Sequence, residues 1–127
     1  MVEKRLTKAQ REYREKLLDG RWQRKRLKVM ERAGFRCEWC PTTSNLQVHH
    51  GCYSQLERRE PWEYSDEILF CLCDKCHERS ERERHFLYLA IGALHPKYHY
   101  ELCQEVKRFT EQVLKQDAAL AYRKKVA

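Results

Sequence analysis

Apolar positions along the chain fall into three regimes. From Leu6 to about Leu18, isolated apolar residues recur among charges at helical spacing, and Asp19-Gly20 ends the pattern. A second helix is predicted from Arg21 to Ala33, closing at Gly34, a residue suited to the left-handed turn that ends helices. Trp22, Arg26 and Met30 are spaced four apart and so share one face. Between Phe35 and Cys76 the helical period breaks, and Pro41 with "TTSN" marks a turn. "LQVHH" (Leu46 to His50) alternates like a short strand, and "ILFCL" (Ile68 to Leu72) suits a buried one. Helical spacing returns from Cys76 to about Leu94, where Pro96 limits it, and a last amphipathic helix is predicted from Tyr100 to Lys124.

The predicted order is helix, helix, two strands, helix, helix: an α+β chain, mostly helical. The expected layout is one compact domain: N-terminal helices over residues 1–33, a core over 34–94 and a C-terminal helix over 95–127. The run "FLYLAIGAL" (Phe86 to Leu94) is the longest apolar stretch and has about half the length of a membrane span. It either completes the core or, with the face Leu102, Val106, Phe109 and Val113, forms a contact to a second copy or a larger protein complex.

Composition narrows the partner class. The chain has 127 residues, 42% hydrophobic and 35% charged, with net charge +7. A small basic domain of this kind fits a polyanionic partner, with nucleic acid foremost, or simply a soluble surface. The N-terminus, "MVEKRLTKAQ", lacks the apolar core of a secretory signal, so a cytoplasmic, non-membrane protein is expected. Seven cysteines in a reducing compartment point to metal rather than disulfides.

Four of them are spaced for it. "CEWC" supplies Cys37 and Cys40, and "CDKC" supplies Cys73 and Cys76. Each C-x2-C turn can present two thiolates, and two turns complete a tetrahedral structural zinc site. A redox role for one pair is the weaker alternative. Cys52, Cys71 and Cys103 lack such spacing and are expected to be small buried hydrophobes. Trp22, Trp39 and Trp62 are expected to pack around the core.

Histidines carry the remaining chemistry. His49 and His50 are adjacent on a predicted strand, where neighbouring side chains point to opposite faces, so the two can have different tasks. His77 follows the second cysteine pair at once, and Glu81 stands one helical turn further on.

Taken together, "W-x3-R", "C-x2-C", "LQVHH-x2-Y", "PWEY" and "L-x2-LC-x2-CHE", in that order, resemble the HNH endonuclease family in its zinc-bearing form. The resemblance covers about half the chain. It implies a β-hairpin and helix wrapped around a divalent metal, the ββα-metal fold, flanked here by N- and C-terminal helices. It implies that His49 and His77 bind Mg²⁺ or another divalent metal, and that His50 is the general base. Glu81 occupies a position where some members add a further ligand, and is either a ligand or a solvated charge. The implied activity is metal-dependent hydrolysis of DNA phosphodiester bonds. The pattern departs at "SDEIL", where Ile68 precedes Leu69 in place of the family's middle asparagine. Asp66 or Glu67 is then the candidate to orient His50. The alternative function is an HNH-fold zinc module that binds nucleic acid or a protein without cutting. Arg21, Arg24, Lys25, Lys28, Arg58 and Arg59 are candidate phosphate contacts, each equally readable as a solvated charge.

Overall fold

The computed structural model describes residues 5–54 and 56–117. Helix α1 spans Lys8–Leu17 and α2 spans Gly20–Arg32. Thr7 starts α1 through a capping box: its hydroxyl accepts from the Gln10 amide at 3.2 Å, and the Gln10 side chain accepts from the Thr7 amide at 2.9 Å. Asp19 caps α2 with a single bond, its carboxylate accepting from Arg21 N–H at 2.8 Å. Beyond α2, Gly34 takes φ +66°. Its N–H reaches the Glu31 carbonyl at 2.9 Å, while Phe35 N–H reaches Met30 at 2.9 Å. That pair of bonds is a Schellman ending, and it needs the positive φ that glycine adopts without strain.

Two strands follow, β1 (Leu46–His50) and β2 (Leu69–Cys73), antiparallel and in one two-stranded sheet. The register places His49 opposite Phe70 and His50 opposite Leu69. Two short 3₁₀ turns, Pro61–Glu63 and Asp66–Ile68, lie in the intervening segment. Helix α3 runs Asp74–Ala93 and α4 runs His99–Gln116. The fold is therefore α+β and mostly helical. The second strand begins at Leu69 rather than Ile68, because Ile68 still closes a 3₁₀ turn on Ser65. Helix α3 begins two residues before Cys76, since the Cys73 sulfur itself accepts from the Cys76 amide and caps the helix. Residues 118–124 of the expected last helix lie outside the described residues.

Opposite residues of an antiparallel pair share a face, so His50 and Leu69 look toward α2, while His49 and Phe70 look away from it. On the α2 side, Trp22 and Val29 pack with Tyr64, Leu69 and Cys71, all at most 5% exposed. Each large apolar side chain buried there contributes about 1.5–3 kcal/mol. A second, smaller cluster gathers Cys37, Leu72 and Cys73 with Cys40 and Cys76 at its margin. The Cys37–Cys40 turn is fastened to the outer edge of β2. Glu38 N–H donates to the Cys71 carbonyl at 2.8 Å, and its carboxylate accepts from Cys71 N–H at 2.6 Å. Among the described residues no position beyond Cys76 joins either cluster, and no helix is long and apolar enough to cross a membrane.

Candidate metal centre

The hairpin and the start of α3 bring Cys37, Cys40, Cys73 and Cys76 together, with all four sulfurs within 4.8 Å of one another. Cys40 and Cys73 sulfurs are 3.6 Å apart. A tetrahedral zinc with bonds of about 2.3 Å has edges of about 3.8 Å, so four cysteines at this spacing could hold a zinc ion. Backbone amides of Trp39 and Cys40 point at the Cys37 sulfur, and that of Cys76 at Cys73, each at 3.4 Å. At Cys37, burial opposes ionisation, yet these amide donors outweigh it and hold the thiol down at about 7. Burial and the neighbouring Cys73 and Cys40 sulfurs push Cys76 up to about 12. Thiolates packed this closely repel one another, a conflict that a divalent cation among them would remove.

A second cluster joins β1 to α3. His49, His77 and Glu81 each offer a ligand atom within 4.8 Å of the others. His49 Nδ1 is 3.4 Å from Glu81 Oε1, and His77 Nε2 is 3.8 Å from the same oxygen. The two imidazoles meet edge-on with centroids 4.8 Å apart. Neighbouring ligands of an octahedral Mg²⁺ are separated by about 3 Å, so these three donors need only small adjustments to share one ion. Burial, and next the His77 ring, pull His49 down to about 4, so it keeps a free nitrogen lone pair at neutral pH. Ser80 Oγ lies 3.3 Å from the other ring nitrogen.

Helix α3 also supplies Arg84, which ties the cluster to β1. One of its terminal nitrogens donates to the carbonyls of His50 and Gly51, at 3.1 and 3.0 Å. The other donates to both Glu81 oxygens at 2.7 Å. Arg84 therefore holds the Glu81 carboxylate against the strand that carries the histidines.

His50 sits on the opposite face. Its Nε2 lies 2.9 Å from the Pro61 carbonyl, which can only accept, so Nε2 carries the hydrogen and Nδ1 keeps its lone pair. The ring stacks between Trp22 and Tyr53, at 4.8 and 4.9 Å, with Tyr64 edge-on at 5.3 Å. Tyr53 is in turn held by a 2.8 Å bond between its hydroxyl and that of Tyr13 on α1. Burial lowers the His50 pKa against the pull of the Pro61 bond, and Lys25 and Arg84 add to the lowering. The loop after β1 is pinned at its neck by Gly51 N–H to the Ile68 carbonyl, 2.7 Å. A Cβ on Gly51 would stand 3.0 Å from both that carbonyl oxygen and the Phe70 ring.

No family model, curated protein or solved structure matches the chain. Its site is characterised by geometry alone.

That geometry corrects several expectations. Asp66 does not orient His50: its carboxylate is engaged by Lys25 at 3.1 Å and Lys28 at 2.8 Å, and the Pro61 carbonyl takes the orienting role. Glu67 stands exposed in the same 3₁₀ turn, its amide bonded to Ser65 Oγ at 3.3 Å. Of the expected phosphate contacts, Arg21 is bonded to Asp19 and lies 4.0 Å over the Trp62 ring, and Arg59 is bonded to Glu57. Arg24 and Arg58 make no ion pair among the described residues. Cys71 is fully buried, as its apolar run predicts, whereas Cys52 and Cys103 are exposed because each lies where nothing packs over it. Trp22 is buried and Trp62 packs on the core, but Trp39 is 45% exposed under Arg79, at the surface of the cysteine turn. Two contributors were not anticipated. Arg84 had a visible signal, three residues beyond Glu81 on one helix face. The Pro61 carbonyl had none, since every residue carries one.

Proposed function

We propose that this protein is a metal-dependent endonuclease of the HNH type, with a ββα-metal core and a structural zinc in the four-cysteine cluster. The observation that carries the reading is the division across β1. His49 meets His77 and Glu81 on one face, and His50 is held in a single tautomer on the other. A divalent metal bound by His49, His77 and Glu81 would supply positive charge to the phosphate and the leaving oxygen. The chain's own residues do the rest. His50 Nδ1 takes a proton from water as the new O–P bond forms and the bond to the leaving oxygen breaks, while the Nε2–H bond to Pro61 steadies the imidazolium. The lowered pKa keeps His50 neutral and able to accept at physiological pH. Arg84 keeps Glu81 in place, and the Gly51–Ile68 bond fixes the loop where the family's asparagine is replaced. Of the six candidate cations, Arg24 and Arg58 are the two without an ion pair among the described residues, and they would contact DNA phosphates, contacts that give affinity without sequence choice.

One observation favours a module that binds DNA without cutting it. His50 is only 3% exposed, with aromatic rings on both faces, which leaves its imidazole almost no access to the water it would have to deprotonate. Incubating supercoiled plasmid with wild type and His50→Ala, with Mg²⁺ or Mn²⁺, decides between them. Under the nuclease reading wild type nicks or linearises the plasmid and the variant, folded by circular dichroism, does not. Equal behaviour of the two, with both retarding DNA in a gel, establishes the binding module instead.

A further inference from the structure

We infer that the end of α3 together with α4 is a dimerisation arm whose partner is a second copy of this chain. Nine large apolar side chains between Phe86 and Phe109 stand 42–75% exposed, and none of them belongs to either core cluster. From His85 to Leu94 there is no charged residue, and residues 85–93 are exposed on every side of the helix. A helix that is apolar all round is normally a buried one. Those nine side chains present on the order of 1,000 Å² of apolar-rich surface, above the few hundred Å² that a monomer tolerates and comparable with the ~800 Å² per partner of a stable interface.

The arm is built to fit itself. On α4, Leu102, Val106, Phe109 and Val113 follow a 4-3-4 spacing, the seam of a helix pair. The positions flanking that seam are Cys103, Glu105, Thr110 and Gln112, with a single charge among them. In an antiparallel pairing centred near Phe109, Glu105 of one copy faces Gln112 of the other, so identical helices meet without like charges opposed. Residues 85–116 hold four cationic and three carboxylate side chains, net +1, while the whole chain is +7. The rest of the positive charge lies elsewhere, so two copies can approach through the arm with little repulsion. The same near balance argues against a lipid surface, where the polar face of an apolar helix is normally rich in Lys and Arg. Helix α3 carries Glu81 a little more than one turn before Phe86, so a dimer through the arm would hold two histidine clusters at a fixed spacing.

Light scattering during gel filtration tests the inference. At about 100 µM, well above the dissociation constant expected of such an interface, wild type should weigh twice its 15.5 kDa chain. Leu89→Glu and Phe109→Glu alter exposed positions, so each should keep its far-ultraviolet spectrum and weigh one chain. A monomeric wild type overturns the inference, including one that instead sediments with anionic vesicles. So does a dimer that survives both substitutions with the fold intact. If either glutamate disturbs the fold, wild-type amide exchange decides. Exchange across residues 86–109 must slow as protein concentration rises, and concentration-independent exchange overturns the dimer.

Discussion

Removing metal from the cysteine cluster should melt the part of the molecule that carries the histidines. Around residues 35–45, Cys37 is the only buried position, so little apolar burial holds that turn apart from its bonds to β2. Cys73 is at once a sulfur of the cluster, the last residue of β2 and the cap of α3. Freeing the sulfurs removes the link a metal makes between the Cys37–Cys40 turn and the joint of hairpin and helix. Free zinc at a thousand times its dissociation constant stabilises the folded state by about 4.1 kcal/mol. For a domain of this size 1 kcal/mol corresponds to roughly 4 °C, so stripping zinc should lower Tm by about 16 °C or abolish the transition. The assay is a thermal melt by circular dichroism with and without chelator, with zinc content measured on the same samples. Cys73→Ser should reproduce the loss. A melt that stays within about 2 °C after zinc content falls to zero would refute the reasoning, since the linkage then has nothing to act on.

Three further outcomes follow from the site. Gly51→Val should cost about 1–3 kcal/mol by pushing the Ile68 carbonyl and Phe70 ring off the added carbons, seen as a lowered urea midpoint at unchanged slope. Arg84→Met, which frees the Glu81 carboxylate, should weaken Mn²⁺ binding about tenfold by calorimetry; unchanged affinity would mean Glu81 is not a ligand. Under the nuclease reading His50 acts as base in its neutral form, and burial lowers its pKa, so cleavage should hold as pH falls below the ordinary 6.5 and fail only further down. An acid limb above pH 7 in the rate profile would contradict that burial.

Much of the architecture was legible because it rests on local signals. The break at Asp19-Gly20, the Gly34 ending and the two C-x2-C turns depend on residues within a few positions of one another. Strand alternation was likewise enough to split His49 from His50. Asp66 was misassigned because proximity in sequence to β2 does not reveal that Lys25 and Lys28, some 40 residues earlier, reach it across the core.

The sequence alone thus determined the order of elements, the cysteine set and the opposed directions of the paired histidines. All of these are set by periods and short spacings. Only the tertiary structure decided what each group faces: Pro61 for His50, Glu81 and His77 for His49, the lysines for Asp66, and open solvent for the apolar end of α3. Those outcomes depend on which distant segments come within hydrogen-bonding or packing distance. Chain order does not encode that distance; the packing of α2 and α3 on opposite faces of a two-stranded sheet sets it.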